Sequence, residues 1–99
     1  MRVDLSPTGR VAVLALAGEL DIADAPVLRA QISQLDAALV VVDLAEVTFL
    51  DSTVLGVFVG AGKRVPLLLV NAQGAPLKVI RLTGLQHLLT GDPAQRQPV

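Results

Sequence analysis

The most informative part of this chain is a run of eleven residues near its middle, which reads Leu44-Ala45-Glu46-Val47-Thr48-Phe49-Leu50-Asp51-Ser52-Thr53-Val54. A run at 38–43 that is apolar up to Asp43 precedes it, and a second apolar run follows at 55–61. The pattern predicts a buried strand, a polar elbow and then a helix. The elbow is Asp51, Ser52 and Thr53, which put one carboxylate and two hydroxyls at the helix start. Backbone N–H groups lack partners there, and the helix dipole favours negative charge.

The composition fits one small domain with an aliphatic core. The chain has 99 residues, of which 53% are hydrophobic and only 2% are aromatic. This length is typical of a single domain. So few aromatic side chains offer no stacking platform for bases or sugars. The formal net charge is −1 and no basic block exists, so the sequence predicts no nucleic-acid binding.

Cysteine is absent, which excludes disulfides, thiol chemistry and cysteine-based metal sites. The first residues, 1–5, lack the apolar segment of a signal peptide. The longest apolar stretches, 54–61 and 65–70, are separated by Lys63 and Arg64, and each is too short to span a bilayer. We therefore expect a cytoplasmic protein without direct membrane insertion.

Turn signals and apolar periodicity predict the remaining elements. A turn at 6–9 joins two short extended segments, and the second of these is a strand at 10–17 that ends at the break 18–21. Asp24 is the expected N-cap of the first helix, since aspartate is a favoured capping residue. Pro26 is tolerated in the first turn of that helix. The apolar stripe of this helix is Leu28, Ile32 and Leu35.

The second half of the chain continues the alternation. Strands are expected at 39–42 and 65–70, and a second helix from Ser52 or Thr53 to Gly62. Gly56 and Gly60 share one face of this helix, which favours close packing on the sheet. A third helix begins near Pro76, and Gly84 is its expected C′ residue in the left-handed region.

The resulting order is β-β-α-β-α-β-α, which is typical of an α/β domain with a parallel or mixed sheet. We expect the domain to cover residues 1–91 and the polar residues 92–99 to form a flexible tail. The loops at the carboxyl ends of the strands are the expected functional face.

The elbow has two interpretations. Asp51 or Ser52 could simply cap the second helix. Alternatively, a hydroxyl at this position could accept a phosphoryl group, whose charge switches a partner surface. Thr53 is the better acceptor candidate and Ser52 the second choice, whereas Asp51 is the better cap or partner contact.

The other polar residues give little support for catalysis. Glu19 and Asp21 form a carboxylate pair without a nucleophile or histidine nearby in the sequence, so a role in loop structure is expected. The second option is that this loop lies beside the Thr53 elbow and shares a partner surface with it. His87 is the only histidine and is interpreted as a surface residue. Phosphate-loop and metal-ligand motifs are missing from the sequence. We therefore predict no enzyme activity, no cofactor and no metal.

Four segments together resemble a STAS domain, and specifically a bacterial anti-sigma factor antagonist. They are 18–21 with Ala25-Pro26, then 41–44, then 47–53, and finally 82–85. The resemblance covers roughly residues 10–89. It implies a mixed sheet of four to five strands with helices packed mainly on one face.

The resemblance also implies a function. Members of this family bind an anti-sigma factor that is a serine/threonine kinase, free a sigma factor, and are released by phosphorylation at the elbow. The family pattern Asp-Ser-Ser/Thr-Gly-Leu places the phospho-acceptor at Thr53, and the implied partner contacts are Asp21, Asp51, Ser52, Thr53 and Val54. Added charge next to Asp51 would oppose docking by repulsion and desolvation.

Two departures from the family pattern motivate an alternative. Val54 stands where the family has glycine. The second helix and the loop after it, which here is only 62–66, are several residues shorter than usual. The alternative is a STAS subunit of a lipid-trafficking ABC transporter or of a stress-signalling assembly. A small-molecule or nucleotide-binding domain is a third hypothesis, which the lack of a glycine-rich loop before the helix disfavours.

Overall fold

The computed structural model describes residues 1–89, so the predicted tail at 92–99 lies outside the described residues. The elements follow the predicted order β-β-α-β-α-β-α. They are β1 (Arg2–Leu5), β2 (Val11–Leu20), α1 (Ala25–Ser33), β3 (Leu39–Leu50), α2 (Ser52–Gly62), β4 (Leu67–Val70) and α3 (Gly74–Leu82), with 3₁₀ turns at Ile22–Asp24 and Gln86–Leu88.

The strands form one mixed sheet in the order β1-β2-β3-β4. β1 is antiparallel to β2, whereas β2, β3 and β4 are parallel to one another. A single parallel bridge between Leu69 and Leu89 extends the sheet beyond β4. The predicted mixed sheet of four to five strands is confirmed.

The core lies on one face of this sheet. The strand register aligns Ala12, Val40 and Leu67 in one row, and Leu14, Val42 and Leu69 in the next; all are buried. The alternate positions of the same strands are only half-buried. Side chains from the helices complete the core over the buried face, and they are Leu28, Ile32, Val54, Leu55, Phe58 and Ile80.

β2 and β3 are longer than the sequence predicts. β2 does not end before Gly18 but continues to Leu20, and β3 runs on through Leu50. Their pairing register shifts between Ala15 and Ala17 and again between Gly18 and Glu19. Gly18 has a φ of 78°, a conformation that favours glycine and is typical of a bulge. The expected break is therefore an irregularity within a continuing strand.

The helices of the structure correct two expectations. The side chain of Asp24 makes no capping bond to α1, although Pro26 does lie in the first turn as expected. Gly56 and Gly60 do not pack on the sheet: both are exposed, and a Cβ built at either position would meet nothing within 4 Å. Gly84 has a φ of 75° directly after the C-cap of α3, which confirms its predicted role.

None of the helices in residues 1–89 combines the length and the apolar character that a membrane crossing requires.

A polar contact ties β3 to the loop after β4. Asp43 Oδ1 accepts hydrogen bonds from Asn71 Nδ2 and from the Ala45 N–H, both at 3.0 Å. These donors, the Asn71 side chain foremost, lower the pKa of the Asp43 carboxyl. Asn71 has a φ of 62°, which asparagine tolerates better than most residues.

We predict that this contact stabilises the folded domain at neutral pH and that its contribution is lost in acid. A carboxyl whose pKa is lower in the folded state stabilises the fold above the pKa of an unfolded aspartate, and this contribution is lost as the pH falls through the lowered pKa. Asn71→Gly keeps the backbone conformation but removes the amide donor. Carboxyl NMR titration should then place the Asp43 midpoint closer to the ordinary value than in the wild type. An unchanged midpoint would show that Asn71 does not stabilise the ionised form.

Candidate functional site

The carboxyl ends of the central strands β2 and β3 are held side by side. Leu20 pairs with Leu50, and both side chains are buried. The N–H of the next residue, Asp51, donates to the Leu20 carbonyl at 2.9 Å. The chain therefore leaves the sheet at Asp21 and at Asp51 from neighbouring positions.

Asp51 caps α2. Its backbone is extended, with a φ of −76° and a ψ of 145°, and its Oδ1 accepts the Thr53 N–H at 2.7 Å. Its carbonyl accepts the Leu55 N–H at 3.1 Å, which is the first bond of the helix. Asp51 is therefore the N-cap, Ser52 is the first helical residue and Thr53 the second. This confirms the capping interpretation of Asp51.

Asp21 performs the same task at the neighbouring strand end. Its Oδ1 accepts the Ala23 N–H at 2.9 Å, and Asp24 Oδ2 accepts the Asp21 N–H at 2.8 Å. The two carboxylates thus form a reciprocal capping box around the 3₁₀ turn that leads into α1. The sequence interpretation of Asp21 as a loop-structure residue is confirmed, whereas Asp24 caps the turn rather than α1.

The elbow hydroxyls are accessible. Ser52 and Thr53 are exposed, and neither hydroxyl has a hydrogen-bond partner among residues 1–89. Thr53 contributes only its backbone N–H to the cap, so its side chain is free to react without disturbing that bond. Val54 differs, because its side chain is fully buried in the core. The structure therefore corrects the expectation that Val54 contacts a partner.

Two exposed apolar residues next to the elbow were not selected from the sequence. Ile22 is 65% exposed in the 3₁₀ turn, and Phe49 is 44% exposed near the end of β3. The alternation of buried residues in β3 breaks after Leu44, because the next buried side chains are Val47 and Leu50. The period of two therefore does not extend to Phe49, and the sequence has no signal that Phe49 or Ile22 points outward. Together with Asp21, Asp51, Ser52 and Thr53, these two residues form what we call the elbow surface.

The elbow surface and the residues that border it are acidic. Glu19, Asp21, Asp24 and Asp51 all lie on the two strand ends and the turns that follow them. In the described part of the chain the only ion pair joins Arg2 and Asp4, so these four carboxylates have no ion-pair partner there.

Residues 1–89 contain no group of three potential metal-ligating side chains. His87 is exposed, as expected. The arrangement suits contact with another protein better than chemistry on a small molecule.

Comparison with known proteins identifies the family. A family model described as "Mlab, STAS domain" matches residues 3–90. The chain belongs to the STAS domain family. This STAS domain is 33% identical over 96 residues to the anti-sigma-B factor antagonist of Bacillus subtilis (strain 168), and the match covers 90% of the chain and 88% of that relative.

Solved structures share the fold of this STAS domain. An anti-sigma factor antagonist from Mycobacterium paratuberculosis has a TM-score of 0.80 at 25% identity, with 95% of this chain and 86% of that chain covered. SpoIIAA, an anti-sigma factor antagonist, has a TM-score of 0.79 in its unphosphorylated form, at 21% identity with coverage of 95% and 90%. The phosphorylated form of SpoIIAA from Bacillus has a TM-score of 0.69, at 22% identity with coverage of 95% and 93%.

We predict that the Asp51 cap stabilises the STAS domain through its hydrogen bond more than through its charge. Asp51→Ala removes the acceptor and should lower the free energy of unfolding by about 1 kcal/mol. Asp51→Asn keeps an acceptor oxygen and should retain most of that stability. Urea denaturation followed by far-UV circular dichroism measures both variants. Equal losses in the two would assign the effect to charge instead.

Proposed function

We propose that this STAS domain is an anti-sigma factor antagonist that acts in the cytoplasm. It binds an anti-sigma factor that is also a serine/threonine kinase and thereby frees a sigma factor. Phosphorylation of Thr53 ends the interaction. The observation that carries this proposal is the Thr53 hydroxyl beside the Asp51 cap, which is exposed and has no hydrogen-bond partner within residues 1–89. The relative named anti-sigma-B factor antagonist supports the regulatory role.

The helix start can accept a phosphoryl group without unfolding. Thr53 is the second residue of α2, where the dipole and the nearby N–H groups favour negative charge. Its side chain takes no part in the core or in the cap. A phosphoryl group on this oxygen would therefore change the surface and leave the fold intact.

The same group would weaken docking for two reasons. Phosphorylation adds a charge of about −1.5 to −2 at neutral pH, next to the carboxylates of Asp51 and Asp21. A partner that covers the apolar side chains of Ile22 and Phe49 must also remove water from this new charge. Both repulsion within the elbow surface and desolvation therefore oppose the bound state.

Incubation with ATP and the anti-sigma factor kinase from the same genome tests the site. Intact mass should increase by one phosphoryl group in the wild type and in Ser52→Ala, but not in Thr53→Ala. Ser52→Ala is the matched control, because it removes the neighbouring hydroxyl at the same helix start. If Thr53→Ala still gains the phosphoryl group and Ser52→Ala loses it, Ser52 is the acceptor and the assignment to Thr53 is wrong.

A second experiment tests the switch without a kinase reaction. Thr53→Glu introduces a charge, and Thr53→Gln introduces a neutral side chain of the same size. Calorimetric titration against the anti-sigma factor should give a Kd for Thr53→Glu at least about tenfold above that of Thr53→Gln. Similar values for the two variants would mean that size, not charge, controls binding at this position.

The transporter alternative makes a different prediction for partners. Affinity capture with the wild-type domain should recover an anti-sigma factor kinase, and Thr53→Glu should recover less of it. Recovery of transporter subunits in place of the kinase would contradict the proposed function and favour a STAS subunit of a transport assembly.

A further inference from the structure

β1 is a free edge of the sheet, because it pairs only with β2 within residues 1–89. The Ser6 N–H donates to the Val11 carbonyl at 2.9 Å, just beyond the end of the β1–β2 pairing. Hydrogen-bonded pairs alternate along an antiparallel ladder, so Asp4 and Arg2 also direct their backbone groups toward β2. The N–H and C=O groups of Val3 and Leu5 consequently point away from the sheet.

The side chains of this edge are divided by face. Val3 and Leu5 pair with the buried residues Leu14 and Ala12, so they lie on the face that carries the helices. They are nevertheless 38% and 62% exposed, and Met1, in the same phase, is 58% exposed. On the opposite face, Arg2 Nε and Asp4 Oδ2 form an ion pair at 2.9 Å.

The charge pattern of β1 is complementary to itself. In an antiparallel pair of two identical strands, side chains directly opposite each other lie on the same face. When Val3 faces Val3 of the second copy, each Arg2 faces the Asp4 of the other strand. A register shift of two residues in one direction puts Arg2 against Arg2, and in the other direction Asp4 against Asp4. Like charges directly opposite are destabilising, so the charges select one register.

We propose that two copies of this chain associate through antiparallel pairing of β1, with Val3 on the two-fold axis. In this register the Val3 N–H of each copy donates to the Val3 carbonyl of the other, and the Leu5 N–H donates to the Met1 carbonyl. The outward backbone groups are thereby satisfied. Arg2 and Asp4 occupy a non-hydrogen-bonded pair, in which opposite side chains are closer.

The apolar side chains complete the contact. Val3 meets its symmetry mate, and Leu5 meets Met1 of the second copy, on the face that carries the helices. Charged residues on an edge strand commonly prevent such pairing. In β1, Arg2 and Asp4 carry opposite charges two residues apart. These charges repel their counterparts in the shifted registers and attract them in the proposed one. A second copy is the occupant that matches this strand residue by residue.

The contact consists of one short strand from each copy, so it buries little surface. The dimer is therefore weak and dissociates on dilution. The proposed contact is made by residues 1–5, none of which belongs to the elbow surface. The proposal is therefore independent of the proposed function, and its test needs only the purified chain without a tag.

Sedimentation equilibrium from micromolar to millimolar protein tests the proposal through charge reversal. The wild type should show a monomer–dimer equilibrium. Arg2→Asp and Asp4→Arg each place like charges opposite each other, and each should raise the dimer Kd by about tenfold or more. The double variant R2D/D4R restores opposite charges and should return the Kd to within about threefold of the wild type.

Val3→Pro tests the backbone contact separately. It removes an N–H that points away from β2, so the intramolecular ladder is kept while the intermolecular bond is lost. Circular dichroism should report a folded domain, and sedimentation a monomer. A wild type that stays monomeric at millimolar concentration overturns the proposal and leaves the edge to an extended segment of another protein. A dimer that survives both single charge reversals, or a double variant that fails to recover, overturns the assigned register.

Discussion

The hydrogen bond from the Asp51 N–H to the Leu20 carbonyl joins the two central strands where both leave the sheet. It brings the two capping aspartates, Asp21 and Asp51, to neighbouring positions at the carboxyl end of these strands. Each carboxylate then starts a helical segment by accepting an N–H two residues further on. The position of the exposed Thr53 hydroxyl depends on this sequence of contacts, because α2 can begin only where β3 has ended.

Much of the fold follows from local signals in the sequence. The order of elements, the aliphatic core, the start of α2 and the left-handed Gly84 were all predicted, because each depends on residues close together along the chain. The elbow was also identified for a local reason, since a carboxylate two residues before a free hydroxyl follows a buried strand directly. Its accessibility then required only that Thr53 lie on the outer side of the first helical turn.

The incorrect expectations share a tertiary cause. Gly18 looks like a strand end, but a parallel neighbour continues to pair with the residues beyond it through a shifted register. Val54 follows two exposed residues, and only the rotation of α2 against the sheet decides that it is buried. The same rotation turns Gly56 toward solvent. Which aspartate caps the first helical segment likewise depends on where β2 ends.

The outward-facing glycines of α2 have a further consequence. Glycine within a helix costs about 1 kcal/mol relative to alanine. Gly56 and Gly60 bear this cost at positions where a methyl group would have no neighbour within 4 Å among the described residues. The helix that presents Thr53 is thus intrinsically weak as an isolated segment and exists because Leu55 and Phe58 fasten it to the sheet. Replacing these two exposed glycines by alanine would therefore increase the free energy of unfolding of the domain without altering its core.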